Sequence, residues 1–353
     1  MERLPIGDEA GRSTRIIRCD RGTRGGRVVW GPAGRIEPRL RAGRLLLSSL
    51  LLVVLLFPAS CGEQEQPIRV DLDRREEIGF QEDTNIITYA YVPQYFHRVS
   101  FERHNPLVEY LRRETGLSIR QIFPDSFDDY IRKTGQGKID ISFANPFIYI
   151  KVNERYGVQA FARIIELDGR ENFRGLIISR ADNDAIQSIE DCRGKRWVAV
   201  DPSSAGGYLY ALGLFWEHGI KKEDFAEISF MPGPGGQQEK VVLAVYSGRY
   251  DIGSVREGAL ELVADRIDLN QIRILGYTPW YPGWMYAARK GLQPEVVGKI
   301  RDALCRLNYN DSADKAILEA ADLTGIIPAV DQDFDPVRQL AAMLNMDLNV
   351  DLA

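Results

Sequence analysis

Cysteine, histidine and long apolar runs are all scarce in this chain of 353 residues. The four cysteines, Cys19, Cys61, Cys192 and Cys305, are too few for a disulfide-built scaffold. Cys192 and Cys305, the two in the folded body, could form one bridge, but isolated thiols are the expectation. The three histidines, His97, His104 and His218, have no metal-ligand spacing. No Gly-x-Ser-x-Gly elbow occurs, and neither body cysteine has a histidine near it in sequence. The loop "GPGGQQ" (Gly233 to Gln238) lacks the Gly-Lys-Ser/Thr end of a phosphate-binding P-loop. Paired acids such as Asp128-Asp129 and Glu76-Glu77 read as solvated faces. These absences argue against an enzyme, and no cofactor or metal is implied. The apolar run Leu45 to Phe57 has 13 residues, short of the roughly 20 that a membrane-spanning helix needs.

Lysine is missing from the first sixty residues, which hold eleven arginines against five acids. Residues 61–353 carry 34 basic and 45 acidic side chains, a net charge of −11. An acidic body argues against nucleic acid as a partner, because phosphate backbones need a basic surface. The front of the chain reads as a targeting segment. "RAGR" (Arg41 to Arg44) is a basic start, Leu45 to Phe57 has the length of a secretory apolar region, and "PASC" follows. Small residues directly before Cys61 resemble the lipobox of bacterial lipoproteins, with Pro58 where leucine is usual. The resemblance implies that Cys61 becomes a lipidated N-terminus; the alternative is an ordinary signal peptide. Residues 1–60 are thus leader and lipoprotein signal peptide, with 1–40 a dispensable leader or a mis-assigned start. The polar segment 61–84 reads as a flexible tether.

From Asn85 short β-rich runs alternate with amphipathic stretches, the pattern of a parallel α/β sheet. "IITYAYVP" is a strand and "NPLVEYLRRETG" a helix capped by Asn105, with Pro106 in its first turn. A strand, a helix over "SFDDYIRKTGQG" and the strand "IDISFAN" follow. The pattern restarts after "FRGLIISR": strand "KRWVAV", helix "GYLYALGLFWEHG", strand "EISFMP", helix "QQEKVVLAVYSGR", strand "YDIGSV" and helix "EGALELVADRI". The strand "IRILGYTP" leads into "GWMYAARKG", and helices close the chain. Two modules joined near residues 172 and 277 predict a bilobed α/β protein with a ligand cleft between its lobes. Lobe 1 is residues 85–172 plus 277–353 and lobe 2 is 173–276, with a hinge near Phe173 and Tyr277. Ligands of such sheets sit beyond the carboxyl ends of strands, where "ANPF", "DPSSAGG" and "MPGPGGQ" fall.

"DPSSAGG" (Asp201 to Gly207) is either a turn or a socket for an anion at a helix start. Asn145 is either a donor at a strand end or an ordinary helix cap. Arg256 is either a fork of donors for an anion or a solvated residue at a helix start. The aromatics Tyr91, Tyr95, Phe96, Trp280, Tyr281, Trp284 and Tyr286 gather at two strand ends and favour a cleft wall, with two or three of them touching ligand.

Over about residues 85–340 these landmarks resemble the phosphate/phosphite/phosphonate-binding proteins of ABC importers, a family with the periplasmic type II binding fold. "GKIDISFANPFIYI" is similar to the family's strand that ends at a proline with a tyrosine three residues on, here Pro146 and Tyr149. "SIEDCRGKRWVAVDPSSAGGYL" resembles the family's serine loop, and "VVLAVYSGRYDIGSV" its following helix and strand. The resemblance implies oxyanion contacts from Ser203 and Ser204 and backbone contacts at Ala205, Gly206 and Gly207. Ala205 and Gly206 replace two hydroxyl residues of the family pattern. Gln238 stands where a histidine is frequent, and Glu257 where a carboxylate holds a ligand amine. The aromatic region around Trp284 replaces an acidic position. "IGSVREGALE" also resembles the version of this domain in periplasmic sensors of oxyanions such as tetrathionate. The implied partners are a small oxyanion with an ABC permease and ATPase, or a sensor kinase in the alternative role. The protein is expected to be a monomer that meets the membrane only through its lipid. Finding no transmembrane or kinase segment after residue 340 favours the carrier role.

Overall fold

The computed structural model describes residues 86–233 and 237–349. The leader, Cys61, the tether and residues 234–236 of the Gly/Pro loop lie outside the described residues. In the first part of the chain, β1 (Ile87–Tyr91), α1 (His97–Thr115), β2 (Ile119–Ile122), α2 (Phe127–Gly135), β3 (Ile141–Ala144), α3 (Pro146–Tyr156) and β4 (Gln159–Glu166) follow one another. The two-residue β5 (Asn172–Phe173) leads to β6 (Gly175–Arg180), β7 (Arg196–Ala199), a π-turn at Ala205–Leu209, and α4 (Tyr210–Glu217). Next come β8 (Glu227–Phe230), α5 (Gln237–Tyr246), β9 (Ile252–Arg256) and β10 (Ile272–Tyr277). The chain returns through β11 (Tyr281–Pro282) to β12 (Met285–Ala288), α6 (Pro294–Arg306), α7 (Ser312–Ala320), β13 (Leu323–Pro328) and α8 (Asp335–Met343).

Six strands form one sheet in the order β13-β4-β12-β3-β1-β2, and five form the other in the order β10-β6-β9-β7-β8. Each sheet is mixed, which corrects the expectation of parallel sheets. β1 pairs parallel with β2 and β3, but β12 and β13 run antiparallel to their neighbours. In the second sheet β7 pairs parallel with β8 and β9, while β6 runs antiparallel to β9 and β10. β6 and β12, which enter their sheets from the other one, arrive without a crossover helix, so nothing forces them parallel. The two crossings pair as a short ribbon, Phe173 opposite Tyr281 and Asn172 opposite Pro282.

Two helices differ from expectation. α1 begins at His97, eight residues before Asn105, and Pro106 sits inside it. Its buried face starts with Ser100 and His104 and runs on through Leu107, Val108 and Leu111. Packing therefore carries the helix across the proline that local propensity reads as a start. His104 stacks on Tyr91 at 4.2 Å and shares a 3.0 Å hydrogen bond with the Tyr89 hydroxyl. Burial, then the Arg103 charge, lower its pKa to about 3, so it is neutral. "EGALELVADRI" contains only a 3-10 turn at Glu261–Val263, because Gly258 adopts φ +89° and breaks the helical path.

Cys192 and Cys305 are free thiols. Each sheet carries its own apolar packing. Tyr89, Ile141, Phe147 and Tyr286 belong to the first sheet's core, and Trp197, Phe215, Ile177 and Ile252 to one side of the second.

Candidate functional site

Four strand ends meet at one place. Beyond β1 lies Gln94, beyond β3 Asn145, and beyond β7 Val200 and the serine turn, with Arg256 as the last residue of β9. They line a narrow cavity of about 10 Å³, room for roughly one water-sized body. It adjoins a chamber of about 450 Å³, and Gln94, Phe173, Arg256 and Trp284 line both.

The serine turn is built from the aspartate outward. The Asp201 carboxylate accepts the Ser203 N–H at 2.7 Å, and its carbonyl accepts the Ser204 N–H at 2.9 Å, an Asx turn closed by a backbone bond. Ser204 then caps the π-turn, its hydroxyl oxygen accepting the Gly207 N–H at 3.2 Å. The first i→i+5 bond is Leu209 N–H to the Ser204 carbonyl, 3.0 Å. The N–H groups of Ala205 and Gly206 precede it and have no acceptor within the turn. Behind the turn, the Trp197 indole donates to Ser254 at 2.9 Å and Ser254 donates to the Gly207 carbonyl at 2.7 Å. This relay fixes the height of the turn above β7 and β9.

Not every residue expected at the site reaches it. Ser204, Ala205, Gly206, Asn145, Gln238, Arg256 and Trp284 line the narrow cavity. Ser203 is turned away from it: its hydroxyl accepts from the buried Lys151 ammonium at 2.9 Å and its carbonyl from Asn145 at 3.3 Å. Gly207 serves packing, since a Cβ there would collide with Val200. Asn145 is committed on both sides, as cap acceptor for Phe147 and Ile148 and as donor to Ser203. Tyr149 is fully buried elsewhere, its hydroxyl donating to Asp331 at 2.5 Å. Tyr95 and Glu257 line only the wider chamber. Glu257 is gripped by Arg174 at 2.7 and 3.0 Å, and the Arg174 guanidinium lies over the Tyr277 and Trp280 rings. Of the other aromatics, Tyr91 and Tyr286 are core, Phe96 is exposed, and Tyr281 stacks on Tyr210 at 4.1 Å.

The remaining polar groups of the narrow end are mostly donors. The Gln238 side-chain oxygen accepts the Arg256 N–H at 3.0 Å, which leaves its amide nitrogen as a donor. Gln94 Nε2 and Trp284 Nε1 are buried with no hydrogen-bond partner among the described residues. Arg256 donates to Glu166 at 3.0 Å, joining the end of β9 to the end of β4. Gln94, Gln237, Phe173 and Glu166 thus belong to the cleft lining, although no motif marks the two glutamines or Glu166. The signal for Gln94 is its place just past a strand's carboxyl end; for Gln237 it is adjacency to Gln238. Buried, unpartnered donors beside a guanidinium are arranged to receive negative charge.

Asp201 adds a pH dependence. Burial raises its pKa to about 6 from the ordinary 3.8; the Ser203 N–H pulls it down, Asp128 raises it and Lys151 lowers it. A carboxyl whose folded pKa is raised binds its proton more tightly when folded. Its contribution is therefore complete below the unfolded pKa and is lost as pH rises through the window from about 4 to 6. Asp201→Asn keeps the acceptor without the charge. It should raise stability above pH 6 by on the order of 1 kcal/mol and flatten the pH profile of the melting temperature in that window. Equal pH profiles for variant and parent would contradict this.

The same architecture recurs in known proteins. The chain is 26% identical over 318 residues to the phosphate-import protein PhnD of Mycolicibacterium smegmatis, covering 86% of this chain and 96% of that protein. It is 24% identical over 220 residues to the tetrathionate sensor histidine kinase TtrS of Salmonella typhimurium, 59% of this chain and 36% of the kinase. The solved structure of PhnD1 from Prochlorococcus marinus in complex with methylphosphonate matches with a TM-score of 0.66 at 14% identity, over 74% of this chain and 99% of that one. The architecture is the bilobed α/β fold of type II periplasmic binding proteins. Residues 89–334 match the model of the family described as "ABC transporter, phosphonate, periplasmic substrate-binding protein", and the chain belongs to that family. Its members are substrate-binding components of transporters and not enzymes, and the family implies a location in the cell envelope.

Proposed function

We propose that the protein captures a small oxyanion of the phosphonate, phosphite or phosphate kind in its interlobe cleft and hands it to an ABC permease driven by an ATPase. The observation that carries this reading is the narrow cavity itself. There the Ser204 hydroxyl, the opening N–H groups of the π-turn and Arg256 converge with the unpartnered Gln94 and Trp284 donors. The relatives named for phosphate import and methylphosphonate binding support the ligand class. At about 10 Å³ the narrow end admits a tetrahedral anion only as the lobes part, and the ribbon at Phe173 and Tyr281 is the place for that hinge. The lobes are 85–172 with 277–353, and 173–276.

A thermal-shift screen with methylphosphonate, phosphite, phosphate, sulfate and tetrathionate tests the reading. A ligand at a hundred times its dissociation constant stabilises by about 2.7 kcal/mol. No shift with any phosphorus oxyanion would sink it.

A second reading is a periplasmic sensor that signals to a two-component kinase. It is favoured by the match to TtrS and by Arg256 directly after Val255. Purification with a permease or with a kinase separates the two.

Tethering at Cys61 belongs to the same proposal, carried by "PASC" and the apolar run before it. Intact mass of membrane-extracted protein should show a chain that begins at Cys61 and bears lipid. A mature chain that starts elsewhere with Cys61 unmodified would refute the anchor.

A further inference from the structure

We propose that Gln237 makes the narrow end selective for oxyanions that still carry an acid proton, so that anions of the same shape without one are turned away. The inference rests on the oxyanion reading above. Gln237 opens α5 and is only 4% exposed. Its side-chain nitrogen donates to the Gly233 carbonyl at 2.6 Å. That bond fixes the amide orientation, because a flip would set two carbonyl oxygens face to face. The opposite atom, Oε1, is then left buried with no partner among the described residues, on a residue that lines the narrow cavity.

The polar atoms around it are of the other kind. Gln94 Nε2, Trp284 Nε1 and the amide nitrogen of Gln238 are donors, and the Arg256 guanidinium supplies more. Ser204 also has a hydroxyl proton to give, since its oxygen already accepts from Gly207. An anion that offers only acceptor oxygens satisfies this set of donors but presents lone pairs to Gln237 Oε1. An anion with one P–O–H group donates that proton to Oε1 and accepts from the rest. Sites that hydrogen-bond a ligand hydroxyl discriminate strongly against analogues lacking it, because their own buried group is left unpaired. Glu166 also has a buried unpartnered oxygen, but Glu166 lines the wider chamber and not the narrow end.

Methylphosphonate and methanesulfonate form the test pair. At mildly acidic pH both are monoanions of similar shape, and they differ by one acid proton. Calorimetry on the purified protein should show methylphosphonate binding at least about a hundredfold more tightly. Gln237→Met removes the acceptor at similar volume and should shrink the preference to about tenfold or less, mainly by weakening methylphosphonate. Gln237→Ala serves as the second variant if methionine disturbs folding, as judged by melting temperature. Parent affinities for the two anions within about threefold would overturn the inference while leaving oxyanion capture intact. A preference unchanged in a folded Gln237 variant would overturn it as well. Binding of neither anion, nor of phosphate, would defeat the oxyanion reading and this inference with it.

Discussion

Gly175→Ala is expected to abolish oxyanion binding and to lower stability by about 3 kcal/mol, at the upper end of overpacking costs. Gly175 opens β6, and a Cβ there would overlap the carbonyl oxygen of Gly206. The same Cβ would lie 3.3 Å from the Thr278 methyl. The obstacle is backbone, not the end of a flexible side chain, so relief requires the π-turn to lift away from β6. Lifting it would displace the N–H groups of Ala205 and Gly206 and stretch the Ser254 bond to Gly207. Gly175 is also held by its own N–H to Thr278 Oγ1 at 2.9 Å, which prevents the strand from backing off. Thermal denaturation and calorimetry of the one variant measure both effects. A variant that binds and melts like the parent would show that the approach of β6 to the turn is looser than described.

Arg256→Ala should weaken binding by at least about a hundredfold. Loss of one hydrogen bond to a charged group costs about 1.5–3 kcal/mol, and a factor of ten is about 1.4 kcal/mol. A second effect adds to it. Glu166 would lose the guanidinium that neutralises it, leaving a largely buried carboxylate in the chamber that adjoins the narrow end. The Arg256–Glu166 pair also joins the ends of β9 and β4, which lie in different sheets, so the closed arrangement loses a tie. Arg256→Lys should recover only part of the affinity, since it restores charge without the planar fork. Affinity within threefold of the parent for Arg256→Ala would remove this residue from the site.

The sequence revealed the strand ends and their glycine- and serine-rich turns, because turn chemistry and apolar runs are local. It could not reveal strand direction: the apolar pattern of β12 or β6 is the same whichever way the strand runs. Adjacent residues of one type can also part company. Ser203 and Ser204 look equivalent in "DPSSAGG", yet the turn carries one toward Lys151 and the other into the cavity. Tyr149 fits a family spacing and is nonetheless spent on Asp331. Gly175 is inconspicuous within "FRGLIISR", since what demands glycine there is a carbonyl 31 positions further along the chain. Gln237 is similar, because its meaning lies in which end of its amide is already taken by Gly233.

A crystal structure of the protein grown with methylphosphonate would locate the anion itself. A tetrahedral group is expected at the narrow end, within hydrogen-bond reach of Ser204 Oγ, the Gly206 N–H and the Arg256 guanidinium. A ligand bound only in the wider chamber near Glu257, or away from the serine turn altogether, would contradict that placement.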